Sequence, residues 1–292
     1  MKVLARARQF LRRTLADKGR SVSTLVKRLF PGKPLFFRLP FGDLWILRDN
    51  AIGDSLLNGG FEDPERHFVE RFVKRGMTVL DLGAHHGLYT LLAAKRVGAE
   101  GKVIAFEPSA RERRALRLHA LLNRRFNISI QSVAVGHIEG EIDLHVAHAR
   151  DSGCNSLRSP AADVGPELSR QRVRTVRLDE WLGQANVGKI DFIKLDVEGG
   201  ELDALRGAGR LLEERPRPLI LAEVQDVRTK PWGYFAREII RYLENREYEW
   251  FSFGEDGSPV ELDVKRDDYE GNFLACPKES LPLLLSKFKG DF

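Results

Sequence analysis

The chain has 292 residues, is 42% hydrophobic and carries two cysteines, Cys154 and Cys276, so it can bury a large core and offers neither a disulfide framework nor a cysteine-rich metal cluster. Its net charge of +5 is divided unevenly: residues 1–34 hold ten Lys or Arg against Asp17 alone, a net +9, and the remainder holds 37 bases against 41 acids, a net −4. An acidic body argues against a nucleic-acid partner, no run approaches eighteen apolar residues, and with no signal peptide visible a cytoplasmic location is expected.

In residues 1–34, Val3, Leu4, Ala7, Leu11 and Leu15 recur at helical spacing, as do Val22, Leu25, Val26 and Leu29. This basic amphipathic arm has three readings: peripheral contact with an anionic membrane or a partner, packing on the domain with a solvated basic face, or an organelle-targeting presequence. Residues 35–75 precede the core, with a hairpin over 35–47 around Gly42-Asp43, a loop ending in Asp63-Pro64 and a helix from Pro64 to about Lys74. Residues 76–292 then read as a catalytic domain. Strands are expected over 78–82, 102–106, 128–135, 190–196 and 218–224, alternating with helices over 87–97, 109–124, 200–214 and 233–247, which predicts a parallel sheet covered on both faces. Two late strands, 249–253 and 272–276, have no helix between them and read as an antiparallel edge pair. An insert over 137–189 is too long for a simple connection. It holds a strand at 141–146, a polar loop at 151–156 and a strand at 172–178, and has two readings, a substrate lid or an ordinary surface excursion.

Two segments carry the chemistry. In the first, an apolar strand runs through Asp81 into Gly83, turns past Ala84, His85 and His86, and re-emerges after Gly87 as a helix. Glu107 follows at the tip of the next strand, twenty residues on, where doubly wound folds grip the hydroxyls of a ribose. A dinucleotide cradle wants three glycines, and this turn has two; the wider D-x-G-x-x-x-G spacing of Asp81 to Gly87 is the usual nucleoside turn of methyltransferases that use S-adenosylmethionine. In the second, the strand at 190–196 delivers Lys194, Asp196 and Glu198 at alternate positions, which places them on one side near the carboxyl ends of the strands. Glu223 closes the following strand beside them, whereas Glu201 suits the first turn of a helix and needs no function.

Together these segments resemble the FkbM family of S-adenosylmethionine-dependent methyltransferases, over about residues 50–276. The resemblance rests on VLDLGAHHGLYTLLAA, on Phe106-Glu107-Pro108, on Val133 to Gly136, on the polar loop from Ser152-Gly153 to Ser156-Leu157, on Leu178-Asp179 and, most specifically, on IDFIKLDVEGGELDALRGA. It implies a Rossmann-like class I methyltransferase fold, a mostly parallel seven-stranded sheet with an antiparallel final strand and helices on both faces. It also implies that Asp81, Gly83 and Gly87 hold the methionine part of the cofactor and that Glu107 holds the ribose, with Ala84, His85, Pro108 and Ala134 also cofactor-binding. His85 and His119 stand where the family usually has Asn. The expected reaction is O-methylation of a hydroxyl on a sugar, glycolipid or polyketide-like metabolite, with no nucleic acid as partner. Asp196, helped by Glu198 or Glu223, would be the base, acting directly or through a divalent ion for which the strand-tip acids offer oxygen ligands. His85 or His86 is the rival base. A non-catalytic cofactor-binding scaffold, recruited to a membrane by its basic tail, and methylation of an amine or nucleic acid remain the alternatives.

Overall fold

A computed structural model describes residues 35–288 except 49, 59, 160–163, 166 and 267. The arm expected at 1–34 lies outside the described residues. A hairpin of β1 (Leu35–Arg38) and β2 (Leu44–Leu47) leads to α1 (Ala51–Asn58) and α2 (Asp63–Phe72). The core then alternates: β3 (Thr78–Leu82), α3 (Leu88–Val97), β4 (Lys102–Phe106), α4 (Ala110–Leu122) and β5 (Ile128–Gln131). After an insert it resumes with β9 (Phe192–Leu195), α6 (Glu201–Arg206), β10 (Leu219–Gln225), α7 (Asp226–Thr229), α8 (Arg237–Glu244), β11 (Tyr248–Phe253), β12 (Pro259–Glu261), β13 (Glu270–Pro277) and α9 (Leu281–Phe288).

The large sheet has the order β12-β11-β13-β10-β9-β3-β4-β5. Strands β5, β4, β3, β9 and β10 are mutually parallel, and β13 runs antiparallel between β10 and β11. The central strands are apolar on both faces because both faces are covered. Leu80, Leu82, Ile104, Phe106, Ile193 and Leu195 turn toward α6 and α8, while Val79, Val103, Phe192, Leu219 and Leu221 turn toward α2, α3 and α9. Truncating a fully buried ring such as Phe106 to Ala would cost about 3–5 kcal/mol.

The insert forms a separate three-stranded sheet, β6-β8-β7, from β6 (Ala134–Val135), β7 (Gly140–Ala147) and β8 (Glu167–Val176), followed by α5 (Leu178–Gln184). The single strand expected over 128–135 is therefore two: Ile130 pairs with Ala105 in the large sheet, and three residues past Gln131 Ala134 pairs with Thr175 in the small one. Other expectations shift for local reasons. The helix expected over 200–214 stops at Arg206, where Gly207 and Gly209 lower helix propensity. The late antiparallel pair is not an edge pair, because β13 inserts beside β10 and the three-residue β12 takes the edge, giving eight strands where seven were expected. Helix α1 replaces an expected loop; Asn50 starts it by accepting the Gly53 amide at 2.9 Å. No described helix is long and apolar enough to cross a membrane.

The hairpin is sewn to α4 by polar bonds as well as by Trp45, which stacks on His119 with ring centroids 4.0 Å apart. The Asn123 amide accepts from Leu44 N–H at 2.7 Å and donates to Leu44 O at 2.8 Å, and Arg125 pairs with the buried Asp43. His119 accepts the Ile46 N–H at Nε2 (3.1 Å) and donates from Nδ1 to His86 O (2.8 Å), a pairing that assigns its tautomer.

Candidate active site

At the end of β3 the backbone turns through left-handed conformations at Gly83 (φ 84°), His85 (φ 49°) and Gly87 (φ 91°). Gly83 and Ala84 N–H both donate to Phe106 O at 3.0 Å, and Gly87 N–H donates to Ala84 O at 2.8 Å. A Cβ on Gly83 would stand 1.7 Å from Asp196 O, and one on Gly87 would stand 2.2 Å from a Leu116 methyl. These glycines are demanded by backbone conformation and by close approach of the protein to itself. The turn is clamped to β4 by Glu107, whose Oε2 accepts the His85 N–H at 2.7 Å and whose Oε1 accepts the Ser109 N–H at 2.8 Å. Burial pushes this carboxyl up to about 8, against the two amides that favour its ionised form. Each oxygen retains acceptor capacity for a further donor.

Neither turn histidine is set up as a base. The His85 ring lies 3.0 Å from Ser152 Oγ through Nε2 and stacks on His86 at 3.8 Å, and burial lowers its pKa to about 4. His86 packs inward toward Trp45 and His119, and burial lowers it well below the ordinary value. Asp81, at the base of the turn, accepts from Thr90 on α3 and is pushed up to about 6 by burial.

The second segment gathers acids around one buried ammonium. Lys194 Nζ donates to Asp196 Oδ2 at 3.0 Å and to Asn272 Oδ1 at 2.8 Å. Burial opposes its charge, but Asp196, Glu62 and Glu223 outweigh that and raise its pKa, so it stays protonated. Strand alternation does bring Lys194 and Asp196 to one side, but β9 ends at Leu195, and Glu198 comes near through a turn in which its own φ is 55°. Its partner is Arg228, with Nε 3.1 Å from Oε2. Two donors hold the Glu198 carbonyl: Ser156 Oγ at 2.7 Å and Trp232 Nε1 at 3.2 Å. Glu223 lies inside β10, two residues before its end, where Gln225 Nε2 donates to its Oε1 at 3.0 Å and the buried Oε2 has no hydrogen-bond partner among the described residues. Burial first, and then the neighbouring acids, raise both Glu198 and Glu223 well above the carboxylate range. Glu201 is structural, as its position implied: its Oε1 accepts the Val197 and Gly199 amides at 2.9 and 3.2 Å.

Asp196, Glu198 and Glu223 bring carboxylate oxygens within 4.8 Å of one another, the grouping a divalent ion would need. The donor set does not fit a metal well, because Lys194 already neutralises Asp196 and Arg228 already neutralises Glu198.

These parts wall two adjoining cavities. One, of about 590 Å³, is lined by Phe106, Glu107, Pro108, Ala134, Leu157 and Trp232 among others. The second, of about 940 Å³, is lined by Glu62, Asp81, Ala84, Tyr89, Lys194 and Glu223. Gly83, His85, Ser152, Gly153, Asp196 and Glu198 belong to both walls, so the cavities meet at the turn and the Asp196 strand tip.

The Methyltransferase FkbM domain family matches residues 81–250, a span that holds the turn, Glu107 and the acids of β9 and β10. The chain belongs to the FkbM methyltransferase family. Its large sheet, with the antiparallel strand set between the last two parallel ones, is the Rossmann-like sheet of class I methyltransferases. AMB antimetabolite synthetase AmbE of Pseudomonas aeruginosa is 31% identical over 182 residues, 51% of this chain and 8% of that protein. The 2-O-methyltransferase NoeI of Sinorhizobium fredii is 27% identical over 161 residues, 50% of this chain and 63% of NoeI. Methyltransferase 1 of Beauveria bassiana is 26% identical over 144 residues, 44% of this chain and 57% of that protein. Each match spans less than two thirds of the relative's own length. Among solved structures, an FkbM methyltransferase from Methylobacillus flagellatus is similar with a TM-score of 0.44 at 16% identity, covering 69% of this chain and 44% of that one.

Within this FkbM domain, most residues expected at the cofactor line a cavity; Gly87 does not, and its place is the start of α3. The Leu178-Asp179 pair proves structural, since the Asp179 carboxylate accepts the Arg210 and Leu211 amides at 2.8 and 3.0 Å. The polar loop of the insert roofs both cavities through Ser152 and Gly153, and Asn50 Nδ2 donates to Ser152 Oγ at 3.1 Å. Sequence reasoning missed Glu62, Tyr89 and Asn272. Tyr89 donates to Glu62 Oε2 at 2.7 Å beside Lys194, and Asn272 arrives on the antiparallel strand opposite Glu223.

Proposed function

We propose that the chain is an S-adenosylmethionine-dependent methyltransferase that transfers the methyl group to a hydroxyl of a sugar, glycolipid or polyketide-like acceptor. The observation that carries this reading is the meeting of the two cavities at Asp196. The smaller cavity supplies apolar walls from Phe106, Pro108, Ala134 and Leu157 for a base, with the Glu107 carboxylate at its floor for ribose hydroxyls. Such a cofactor brings a positively charged sulfonium, and the row of acids from Asp81 to Asp196 suits that charge.

The methyl group reaches the acceptor by in-line displacement, so the protein's work is alignment, which can contribute about 7–11 kcal/mol. The acceptor oxygen enters from the larger cavity. Asp196 takes its proton, while Lys194 fixes the carboxylate's orientation and Glu198 and Glu223 stand beside it. The name of NoeI, a 2-O-methyltransferase, supports a hydroxyl acceptor. An ammonium-bearing acceptor is the second reading, favoured by the excess of acids over Lys194 and Arg150 in the wall of the larger cavity.

Calorimetry with S-adenosylmethionine tests the donor, and incubation with deuterated-methyl cofactor and glycan or glycolipid extracts tests the acceptor. Saturable cofactor binding with a three-deuterium mass shift on a hydroxylated product supports the reading. Binding with no transfer to any hydroxyl, or transfer to an amine, refutes its acceptor half; absence of binding refutes the whole.

A further inference from the structure

Helix α4 buries Glu112, Ala115, Leu116, His119 and Ala120 against the core. Its opposite face carries Arg114, Arg117, Leu118 and Leu121, spaced i, i+3, i+4 and i+7, and the exposed Arg124 and Phe126 follow just past the helix end. A solvated face would be polar, and this one is not. Leu118 is 39% exposed, Leu121 67% and Phe126 82%, with exposed Arg114, Arg117 and Arg124 among them and no acid on that face. Exposed large apolar side chains set among arginines on one helix are the composition of an interfacial helix, whose apolar groups enter the headgroup boundary while its cations meet anionic lipid.

The hairpin packed on this helix also carries an exposed ring. Strand β1 starts at Leu35, which pairs with Leu47, one residue beyond the Ile46 whose amide binds His119 of α4. The described chain therefore begins in the hairpin packed on this helix. Phe36, next to that start, is itself 64% exposed.

We propose that the outer face of α4, from Arg114 to Phe126, is a docking face for an anionic lipid bilayer. The aliphatic and aromatic groups distinguish it from a nucleic-acid face, which would offer cations without protruding leucines. The proposal stands apart from the cavities and holds whatever the acceptor is.

Sedimentation of the full chain with vesicles of phosphatidylcholine, and with vesicles in which part of it is replaced by phosphatidylserine, tests the face. The full chain is expected to partition onto the anionic vesicles and not onto the neutral ones. The double variants Arg114→Glu with Arg117→Glu, and Leu121→Asp with Phe126→Asp, each lower that partition about tenfold or more, with unchanged melting temperature. Phe126→Trp, which keeps the face apolar, is quenched by brominated lipid in anionic vesicles. Wild-type partition by both double variants, an unquenched Trp at 126, or equal binding to neutral vesicles overturns the proposal. So does a loss of RNA binding in the arginine variant while vesicle binding persists.

Discussion

The two sides of the site are built on opposite principles. Around the Gly83 to Gly87 turn, the polar groups hold one another: Glu107 accepts two amides, Phe106 O accepts two more, and His85, Ser152 and Asn50 form a chain. Around Asp196 the acids outnumber the cations, and Glu223 keeps a buried oxygen without a partner among the described residues. A satisfied network positions, because moving any member leaves a buried group unpaired. A cluster with leftover acceptor capacity can take a proton or a cation from a visitor. The turn is thus a mould, and the acids are the wall that keeps acceptor capacity for a visitor.

Substitutions sharpen that contrast, and the largest effect belongs to the mould. Gly83→Ala puts a methyl into the Asp196 carbonyl at a positive φ, and is expected to lose at least about 3 kcal/mol of unfolding free energy by urea denaturation. Asp196→Asn should do the reverse: unfolding close to wild type, methyl transfer reduced about 10²–10⁴-fold, and cofactor affinity by calorimetry within a few-fold. Retained turnover would remove Asp196 from the mechanism.

Glu107 joins both principles and predicts a pH dependence. Its folded pKa is raised from 4.5 to about 8 and that of Glu201 from 4.5 to about 7, so the stability each contributes is complete below about 4.5 and is lost as pH rises through the folded value. His85 and His119, lowered from 6.5 to about 4, act in the opposite sense and only below 6.5. Between pH 6.5 and 8 the carboxyls therefore dominate, and urea midpoints should fall with rising pH. Glu107→Gln should flatten that fall and weaken cofactor binding about tenfold. The smallest change is expected from His85→Asn. Asn tolerates the left-handed backbone, so stability should hold within about 0.5 kcal/mol and cofactor affinity within about threefold.

Much of this was legible along the chain. The strands at 78–82 and 102–106 stand where the apolar runs put them, because a run bounded by Gly83 or Glu107 leaves little freedom for its ends. The paired ends of the first turn and Glu107 were readable from spacing, since a parallel strand-helix-strand unit brings successive strand tips together. Helix α1 was not readable: eight residues with an internal glycine give weak periodicity, and its start depends on the Asn50 side chain. Glu62, Tyr89 and Asn272 were also hidden, for they come from a helix cap, a helix and the antiparallel strand, and each meets Lys194 or its neighbours only after the sheet has closed.

By itself the sequence determined the alternating α/β architecture, the family, the glycine turn with its distant carboxylate, and the uneven charge between the first 34 residues and the body. Those are properties of local pattern and spacing, set by side-chain period and backbone freedom. Tertiary structure decided which acids share Lys194 and which meets Arg228, that Glu201 and Asp179 serve the backbone, and that the glycines yield to Asp196 and Leu116. Burial and pairing depend on neighbours remote in sequence, and these no one-dimensional pattern contains.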